Sequence, residues 1–176
     1  MTAPNPARVS VRRAVHRDAA ALSEFAAGAF RDAFGPHNTA ANMDRYVAES
    51  FSTERQAAEI ADSTGVVLLA ESGAELAGYV RLVRAAAPTA VAEPAMEIRR
   101  LYVDRRRHGR GVAQMLMDAT VDAARDAGAR AIWLAVWERN PRAIRFYEKS
   151  GFARIGSTLF LLGDDEQTDW LMARAV

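Results

Sequence analysis

The segment that most constrains the fold of this chain reads RRHGRGVA and occupies positions 106–113. It follows an apolar, strand-like run at 96–103 and opens a long amphipathic stretch. Gly109 and Gly111 allow a tight turn in which the backbone can come close to a ligand. The helix that follows begins with unpaired N–H groups and the positive end of its dipole. Together with the neighbouring arginines and His108, the turn predicts a site for a phosphate-bearing ligand.

Length and composition limit the class of protein. A chain of 176 residues is long enough for one domain with a full hydrophobic core and too short for two such domains. We expect residues 1–7, which include two prolines, to be a flexible N-terminus and residues 8–176 to form the domain. No run has signal-peptide character or membrane-spanning length, so we expect a cytoplasmic protein without a membrane partner.

Charge and cysteine content exclude further classes. The formal net charge of +1 gives no general reason to expect nucleic acid as a partner. The chain has no cysteine, which excludes a thiolate metal site and a cysteine nucleophile. Its three histidines are too scattered in sequence to suggest zinc, and we expect no metal.

Hydrophobic periodicity predicts the element order β-α-α-β-β-β-α-β-α-β-β, with a short extra helix capped by residue 52 or 53. The strands at 96–103 and 132–136 flank the long helix as a βαβ unit and should run parallel. This order predicts a single-domain α/β fold, in which a central mixed, twisted sheet carries helices on both faces. A ligand at the glycine turn would then lie at the carboxyl end of a central strand, where open α/β sheets bind ligands.

Local signals predict several element boundaries. Asn140 and Pro141 are typical of the N-cap and first position of a helix. Asp18 is a plausible N-cap for the first helix. The last two strands are expected at 152–161 and 170–175, around an acidic turn at 163–166.

With these elements placed, the chain resembles the GNAT superfamily, the Gcn5-related N-acetyltransferases. Residues 106–111 match the family's pyrophosphate motif, Arg/Gln-x-x-Gly-x-Gly/Ala, and RLYVD at 100–104 matches its acyl-CoA strand. NPRAIRFYEKSGF at 140–152 matches the segment that carries the family's cofactor asparagine and tyrosine. The resemblance covers about residues 8–176 and implies acetyl-CoA as co-substrate. The positions that it implies for cofactor binding are Leu101, Tyr102, Val103, Arg106, Arg107, His108, Gly109, Arg110, Gly111, Val112, Ala113, Asn140 and Tyr147.

A narrower likeness concerns the acceptor. The segments AFGPHNT at 33–39, VWERN at 136–140 and GDDEQTD at 163–169 resemble the PaiA-type spermidine/spermine acetyltransferases, although Ala33 stands where we expect a threonine. This likeness implies a small-molecule amine substrate, with polyamines first, because carboxylates among aromatic rings suit a cation. The candidate acceptor residues are Phe34, His37, Trp137 and Glu138, with Asn38, Tyr46 and Asp169 beside them.

The resemblance also implies a mechanism in which a primary amine attacks the thioester directly. Glu97 stands where many family members place a general base, often acting through water, and Tyr147 matches the general acid that protonates the leaving thiolate. Backbone N–H groups near 101–103 would stabilise the oxyanion. From the residues alone, Glu97 is equally interpreted as a solvated carboxylate at a strand end. Without its flanking motif, Tyr147 is interpreted as a packing aromatic on the helix face of Ile144, and the motif at 140–152 reverses this interpretation.

Other functions stay open at this point. The acceptor could be a protein N-terminus, a lysine or an aminoglycoside, or the chain could be a non-catalytic acyl-CoA-binding module. The arginines at 105–107 could form a nucleic-acid patch, but a broader basic excess and interleaved aromatics are absent. Many members of the family are dimers, so the resemblance also implies a homodimer as a candidate assembly.

Overall fold

A computed structural model describes residues 8–162 and 165–176 of the chain. The predicted flexible N-terminus, and Gly163 and Asp164 of the predicted acidic turn, lie outside the described residues. The strands are β1 Val9–Arg13, β2 Gly65–Ser72, β3 Glu75–Val83, β4 Ala95–Val103, β5 Ala131–Trp137, β6 Ala153–Leu162 and β7 Asp165–Ala175. The helices are α1 Ala19–Phe34, α2 Ala40–Phe51, α3 Thr53–Ala61, α4 Val112–Asp126 and α5 Pro141–Lys149.

The strands form one seven-stranded sheet in the order β1-β2-β3-β4-β5-β7-β6. Every neighbouring pair is antiparallel except β4 and β5, which run parallel as the βαβ pattern predicts. The sheet is therefore mixed, as expected from the element order. None of the described helices is both long enough and apolar enough to cross a membrane.

Two hydrophobic cores cover the two faces of the sheet, because successive residues of a strand point to opposite sides. On one face, α4 buries Leu116 and α5 buries Ile144 against the strands. On the other face, α1 buries Leu22 and Phe30. Strand β3 supplies both cores, since Tyr79 belongs to the α1 side and its neighbour Val80 to the α4 side. Helices thus lie on both faces, which confirms the predicted architecture.

The helix that follows β5 begins as its sequence predicts. The side-chain oxygen of Asn140 accepts a hydrogen bond of 3.1 Å from the backbone N–H of Ala143, and Pro141 is the first residue of α5. Ser52 caps α3 in the same way, accepting 3.2 Å from the N–H of Arg55. Both caps are strictly local, so the sequence suffices to predict them.

Asp18 occupies the N-cap position of α1, as predicted, but its side chain makes no capping hydrogen bond to the helix. Its carboxylate accepts hydrogen bonds from the Arg12 guanidinium, at 2.7 and 2.9 Å, and from the backbone N–H of Val15. The bonds from Arg12 lower the pKa of Asp18 to about 2. A charged partner on β1 therefore takes the side chain that the helix could have used.

The last strand is longer than predicted. β7 starts at Asp165, so the expected acidic turn is partly strand, and the polar residues before Trp170 belong to the sheet. Thr168 pairs with Leu159, and Asp169 pairs with both Thr158 and Trp137. The polar character of 165–169 hides the strand in sequence, because several of these side chains face a cavity instead of a core.

Candidate active site

The centre of the sheet opens between β4 and β5. The ladder between these strands joins only 95–97 to 131–133, and beyond Glu97 the two strands have no register. The register of β4 against β3 also shifts between Arg81 and Leu82, which leaves Arg99 as the extra residue of a bulge. A bulge bends a strand and re-aims its side chains. Glu97, Arg100 and Tyr102 therefore all share the α1 face, opposite Val83, Arg81 and Tyr79 respectively.

A cavity of about 810 Å³ occupies this opening and extends under α1 and α2. It brings together many of the positions expected from sequence, at both the cofactor and the acceptor end. Those that line it are Phe34, Glu97, Leu101, Tyr102, Val103, Arg106, His108, Ala113, Trp137, Asn140 and Tyr147. Those that do not are His37, Arg107, Gly109, Arg110, Gly111, Val112 and Glu138. Of these, His37 and Glu138 line a smaller adjoining cavity of about 260 Å³, which also touches Trp137.

The glycine turn has the backbone conformation that its sequence predicts. Gly109 has φ of +73° and Gly111 has φ of +80°, a region that other residues adopt only with strain. A Cβ at either position would meet no atom within 4 Å, so no neighbouring group covers the backbone of the turn on this side. Val112 follows as the first residue of α4, and its side chain is buried in the core. Any contact of Val112 with a ligand would therefore come from its backbone N–H.

The arginines of the turn are partly engaged by carboxylates. The side chain of Arg106 is largely exposed and donates to both oxygens of Asp104, and this contact lowers the pKa of Asp104. Arg107 lies 3.2 Å from Glu75. The described structure gives Arg110 no such partner, and its side chain is exposed.

His108 connects the glycine turn to α5. Its Nε2 lies 3.0 Å from the backbone carbonyl of Val103, and its Nδ1 lies 2.6 Å from a guanidinium nitrogen of Arg142. A carbonyl accepts and a guanidinium donates, so the ring is neutral with its proton on Nε2. Burial, and after it the charge of Arg142, lowers the pKa of His108. Sequence reasoning missed Arg142. A cation in the first turn of a helix interacts unfavourably with the helix dipole, and this indicates that the residue has another role.

Tyr147 and Asn140 both serve the fold and line the cavity. Tyr147 is only 8% exposed and packs edge-on against Phe152 at 5.7 Å between ring centres. Burial raises the pKa of its hydroxyl above the ordinary value. The cap of α5 uses only the side-chain oxygen of Asn140, and its amide nitrogen, which has two N–H donors, donates to no described residue.

Glu97 lies in the cavity with a partner. Its carboxylate accepts a hydrogen bond of 3.1 Å from Nε of Arg99 and a second one from Nη2 of the same side chain. Arg99 is the bulge residue, so the irregularity of β4 brings this cation beside the carboxylate.

Aromatic rings form the acceptor end of the cavity. Phe30 stacks on Tyr46 at 4.5 Å between ring centres, and Tyr46 meets Phe160 edge-on at 5.9 Å. Trp137 contacts Phe34 at 5.7 Å. His37 and Trp137, each predicted separately as an acceptor residue, are in contact at 5.0 Å between ring centres, although His37 lies outside the main cavity. Asn38 closes this end by accepting a hydrogen bond of 3.1 Å from Gln167 of β7.

Two carboxylates at the cavity differ in their surroundings. Glu59, on α3, is buried behind it and is neutralised by Arg81 at 2.9 Å and by Arg100 at 2.7 Å. Asp169 lines the cavity itself, and its Oδ1 is buried with no hydrogen-bond partner among the described residues. Burial, and after it the charge of Glu138, raises the pKa of Asp169 to about 6.

Comparison with known proteins places the chain in a class. The Acetyltransferase (GNAT) family matches residues 29–152, which include the bulged strand, the glycine turn and α5. The chain belongs to this family of acetyltransferases. It is 30% identical to an uncharacterized N-acetyltransferase of Lactobacillus delbrueckii subsp. lactis, over 84% of this chain and 86% of that one. It is 32% identical to an uncharacterized N-acetyltransferase of Mycobacterium tuberculosis, over 89% of this chain and 97% of that one.

The fold is similar to that of a solved structure, the PaiA N-acetyltransferase of Thermoplasma acidophilum in complex with coenzyme A. The TM-score is 0.81, and the match covers 96% of this chain and 99% of that one. The sequence identity is 19%, so this likeness concerns the fold.

Proposed function

We propose that the protein transfers the acetyl group of acetyl-CoA to a primary amine of a small molecule, with polyamines as the acceptor class. The observation that carries the proposal is one continuous cavity. It runs from His108 and Ala113, on either side of the two glycines, through the opening between β4 and β5, to aromatic walls beside the unpaired carboxylate of Asp169. A cationic chain suits such a pocket, because aromatic faces and a carboxylate both attract ammonium groups.

The residues at the donor end fit acetyl-CoA. The bare turn at Gly109 and Gly111 and the first N–H groups of α4 would hold the pyrophosphate. Beyond Glu97, β4 has no ladder with β5, so the backbone groups of 98–102 on that edge are available to an extended arm of the ligand. The free donors of Asn140 face the same cavity. The coenzyme A in the PaiA complex supports this assignment for a protein of the same fold.

The chemistry uses Glu97 and Tyr147. Glu97, through a water molecule, would take a proton from the ammonium, because only the neutral amine has the lone pair that attacks the thioester carbon. The C–N bond then forms while backbone N–H groups near 101–103 stabilise the oxyanion, and the C–S bond breaks. Tyr147 would give its proton to the departing thiolate. Its raised pKa keeps the hydroxyl protonated at neutral pH, so it acts as a donor.

Thiol release from acetyl-CoA tests this function. The acceptor panel contains spermidine, spermine, an aminoglycoside, amino acids and a short peptide. We expect release that depends on both enzyme and polyamine, with a product heavier by one acetyl group in mass spectrometry. If only the peptide or only the aminoglycoside stimulates release, that class is the acceptor and the polyamine assignment is wrong. Clear acetyl-CoA binding without release on any amine would leave a non-catalytic acyl-CoA-binding module.

A further inference from the structure

Among the described carboxylates that line the main cavity, Asp169 is the one with a buried oxygen that has no hydrogen-bond partner, whereas Glu24 and Asp32 are exposed. Glu97 is bonded to Arg99, whereas Oδ1 of Asp169 is buried and accepts no hydrogen bond from any described residue. A partly buried carboxylate whose buried oxygen has no partner opposes folding, so its presence calls for a ligand that compensates it. The complementary ligand is a cation that donates hydrogen bonds.

The strand register fixes where this cation would lie. Trp137 and Thr158 are the neighbours of Asp169 across β5 and β6, and residues opposite each other on neighbouring strands point to the same face. Phe34 contacts the Trp137 ring from α1. A cation at Asp169 would thus lie against aromatic faces, where it gains further attraction.

Asp169 is far from the proposed base. Glu97 is level with Trp133 of β5, whereas Asp169 is level with Trp137, and they lie on opposite sides of that strand. Four residues of strand and two strand spacings place their Cα atoms about 16 Å apart. Both side chains belong to the same cavity. One nitrogen cannot lie at both carboxylates, but a flexible chain with two ammonium groups can reach from one toward the other.

We propose that Asp169 binds a second ammonium group of the acceptor, distant from the amine that is acetylated, and thereby selects linear diamines and triamines over monoamines. Asp169 is then a specificity residue and takes no part in proton transfer. The inference rests on the proposed acetyltransferase function and adds to it the residue that binds the second ammonium group of the acceptor.

The charged and titratable groups around Asp169 set its own ionisation. Glu138, which follows β5, opposes the charge of Asp169, and burial acts in the same direction. His37 contacts Trp137 from the short turn after α1. Across β6 the neighbour is the neutral Thr158. No described cation therefore compensates Asp169 by a hydrogen bond or ion pair, which strengthens the case for a cationic ligand.

The test compares putrescine with butylamine, which has the same four-carbon chain and amine but lacks the second ammonium group. Steady-state kcat and KM are measured for wild type, for Asp169→Asn and for Glu166→Gln. The last variant removes one negative charge from an exposed position of the same strand. It therefore controls for the electrostatic effect of losing any carboxylate from that strand. Thermal unfolding confirms that each variant is folded.

We expect wild type to prefer putrescine over butylamine, and Asp169→Asn to raise KM for putrescine about 10- to 100-fold with kcat little changed. Butylamine kinetics should stay within about twofold, because it has no charge to place at Asp169. Glu166→Gln should behave as wild type. A fall of kcat on both amines would make Asp169 part of the proton path and overturn the proposal. An unchanged putrescine KM, or an equal change in Glu166→Gln, would also overturn it.

Failure of the proposed function gives a different result. If no amine releases thiol, equilibrium binding of spermidine to the protein loaded with coenzyme A still tests Asp169. Binding that Asp169→Asn weakens at least tenfold supports the subsite without acetyl transfer. Equal binding by both proteins refutes the subsite.

Discussion

Asp169→Asn should make the protein more stable at neutral pH, although it removes a proposed substrate contact. The ionised carboxylate is partly buried beside Glu138 and has no hydrogen bond to Oδ1, so folding works against its charge. An asparagine of nearly the same shape carries no charge to bury. Binding sites commonly hold such destabilising groups, and their replacement trades function for stability.

The size of the effect follows from the pKa of Asp169, which rises from 3.8 to about 6 on folding. A change of this size corresponds to about 3 kcal/mol between the two protonation states. The carboxyl borders an open cavity, and solvent screening reduces the figure to about 1 to 2 kcal/mol. For a chain of this length, that difference raises Tm by about 2 to 8 °C.

The sign with pH is fixed by proton binding. Between pH 3.8 and about 6 the folded protein keeps a proton on Asp169 that the unfolded chain has already lost. The contribution of this group to the free energy of unfolding therefore falls as pH rises through that interval, and the full cost is present above it. The advantage of Asp169→Asn should accordingly be near zero at about pH 4 and complete at about pH 7.5.

Urea denaturation of wild type, Asp169→Asn and Glu166→Gln at these two pH values measures the effect, because urea does not screen charges as guanidinium does. Glu166→Gln should match wild type at both. If Asp169→Asn is equally or less stable than wild type at about pH 7.5, the carboxylate is compensated in the folded protein and the reasoning fails. A gain of the same size at both pH values would show that charge is not its cause.

Three further predictions concern the cofactor end. Tyr147→Phe should lower kcat about 100-fold or more while the acetyl-CoA dissociation constant changes less than about twofold, as single-turnover kinetics and calorimetry would show; equal turnover would remove Tyr147 as the acid. Gly111→Val should abolish acetyl-CoA binding in calorimetry, whereas Gly128→Val, with a similar φ of +74° at the other end of α4, should bind normally; loss in both would indicate strain alone. Arg142→Ala should raise the pKa of His108 in an NMR titration, because it removes a positive charge beside the ring; an unchanged value would leave burial as the cause.

How much the sequence could predict depends on the range of the interaction that decides each feature. The cap at Asn140 and the turn at Gly111 are set by residues within one helical turn, so both follow from the sequence. The capping hydrogen bond expected at Asp18 does not form because Arg12, on another element, takes the carboxylate. The role of Arg142 depends on a contact with His108 across 34 positions, which periodicity cannot show.

The same distinction explains the acceptor end of the candidate site. Asp169 stands in an ordinary polar run, and nothing local distinguishes it from Glu166, three residues earlier in the same strand. Strand pairing with Trp137 turns Asp169 into the cavity, while Glu166 stays exposed. Burial without a partner is thus a property of the assembled sheet.

Three departures from ordinary folding rules lie in this one cavity or directly beside it. The parallel ladder of β4 and β5 stops beyond Glu97, the turn after β4 takes positive φ at Gly111, and Asp169 is left unpaired. Each lowers stability when considered alone, since it forgoes hydrogen bonds, restricts the sequence to glycine or buries a charge. Unfavourable local features that are scattered over a fold carry no functional meaning, whereas several of them clustered in one place indicate a functional site. Each departure here is also complementary to a different part of the proposed ligands. The open strand edge suits an extended amide arm, the bare turn suits a pyrophosphate, and the carboxylate suits an ammonium. The convergence therefore supports binding of donor and acceptor in the same cavity more strongly than any one residue does.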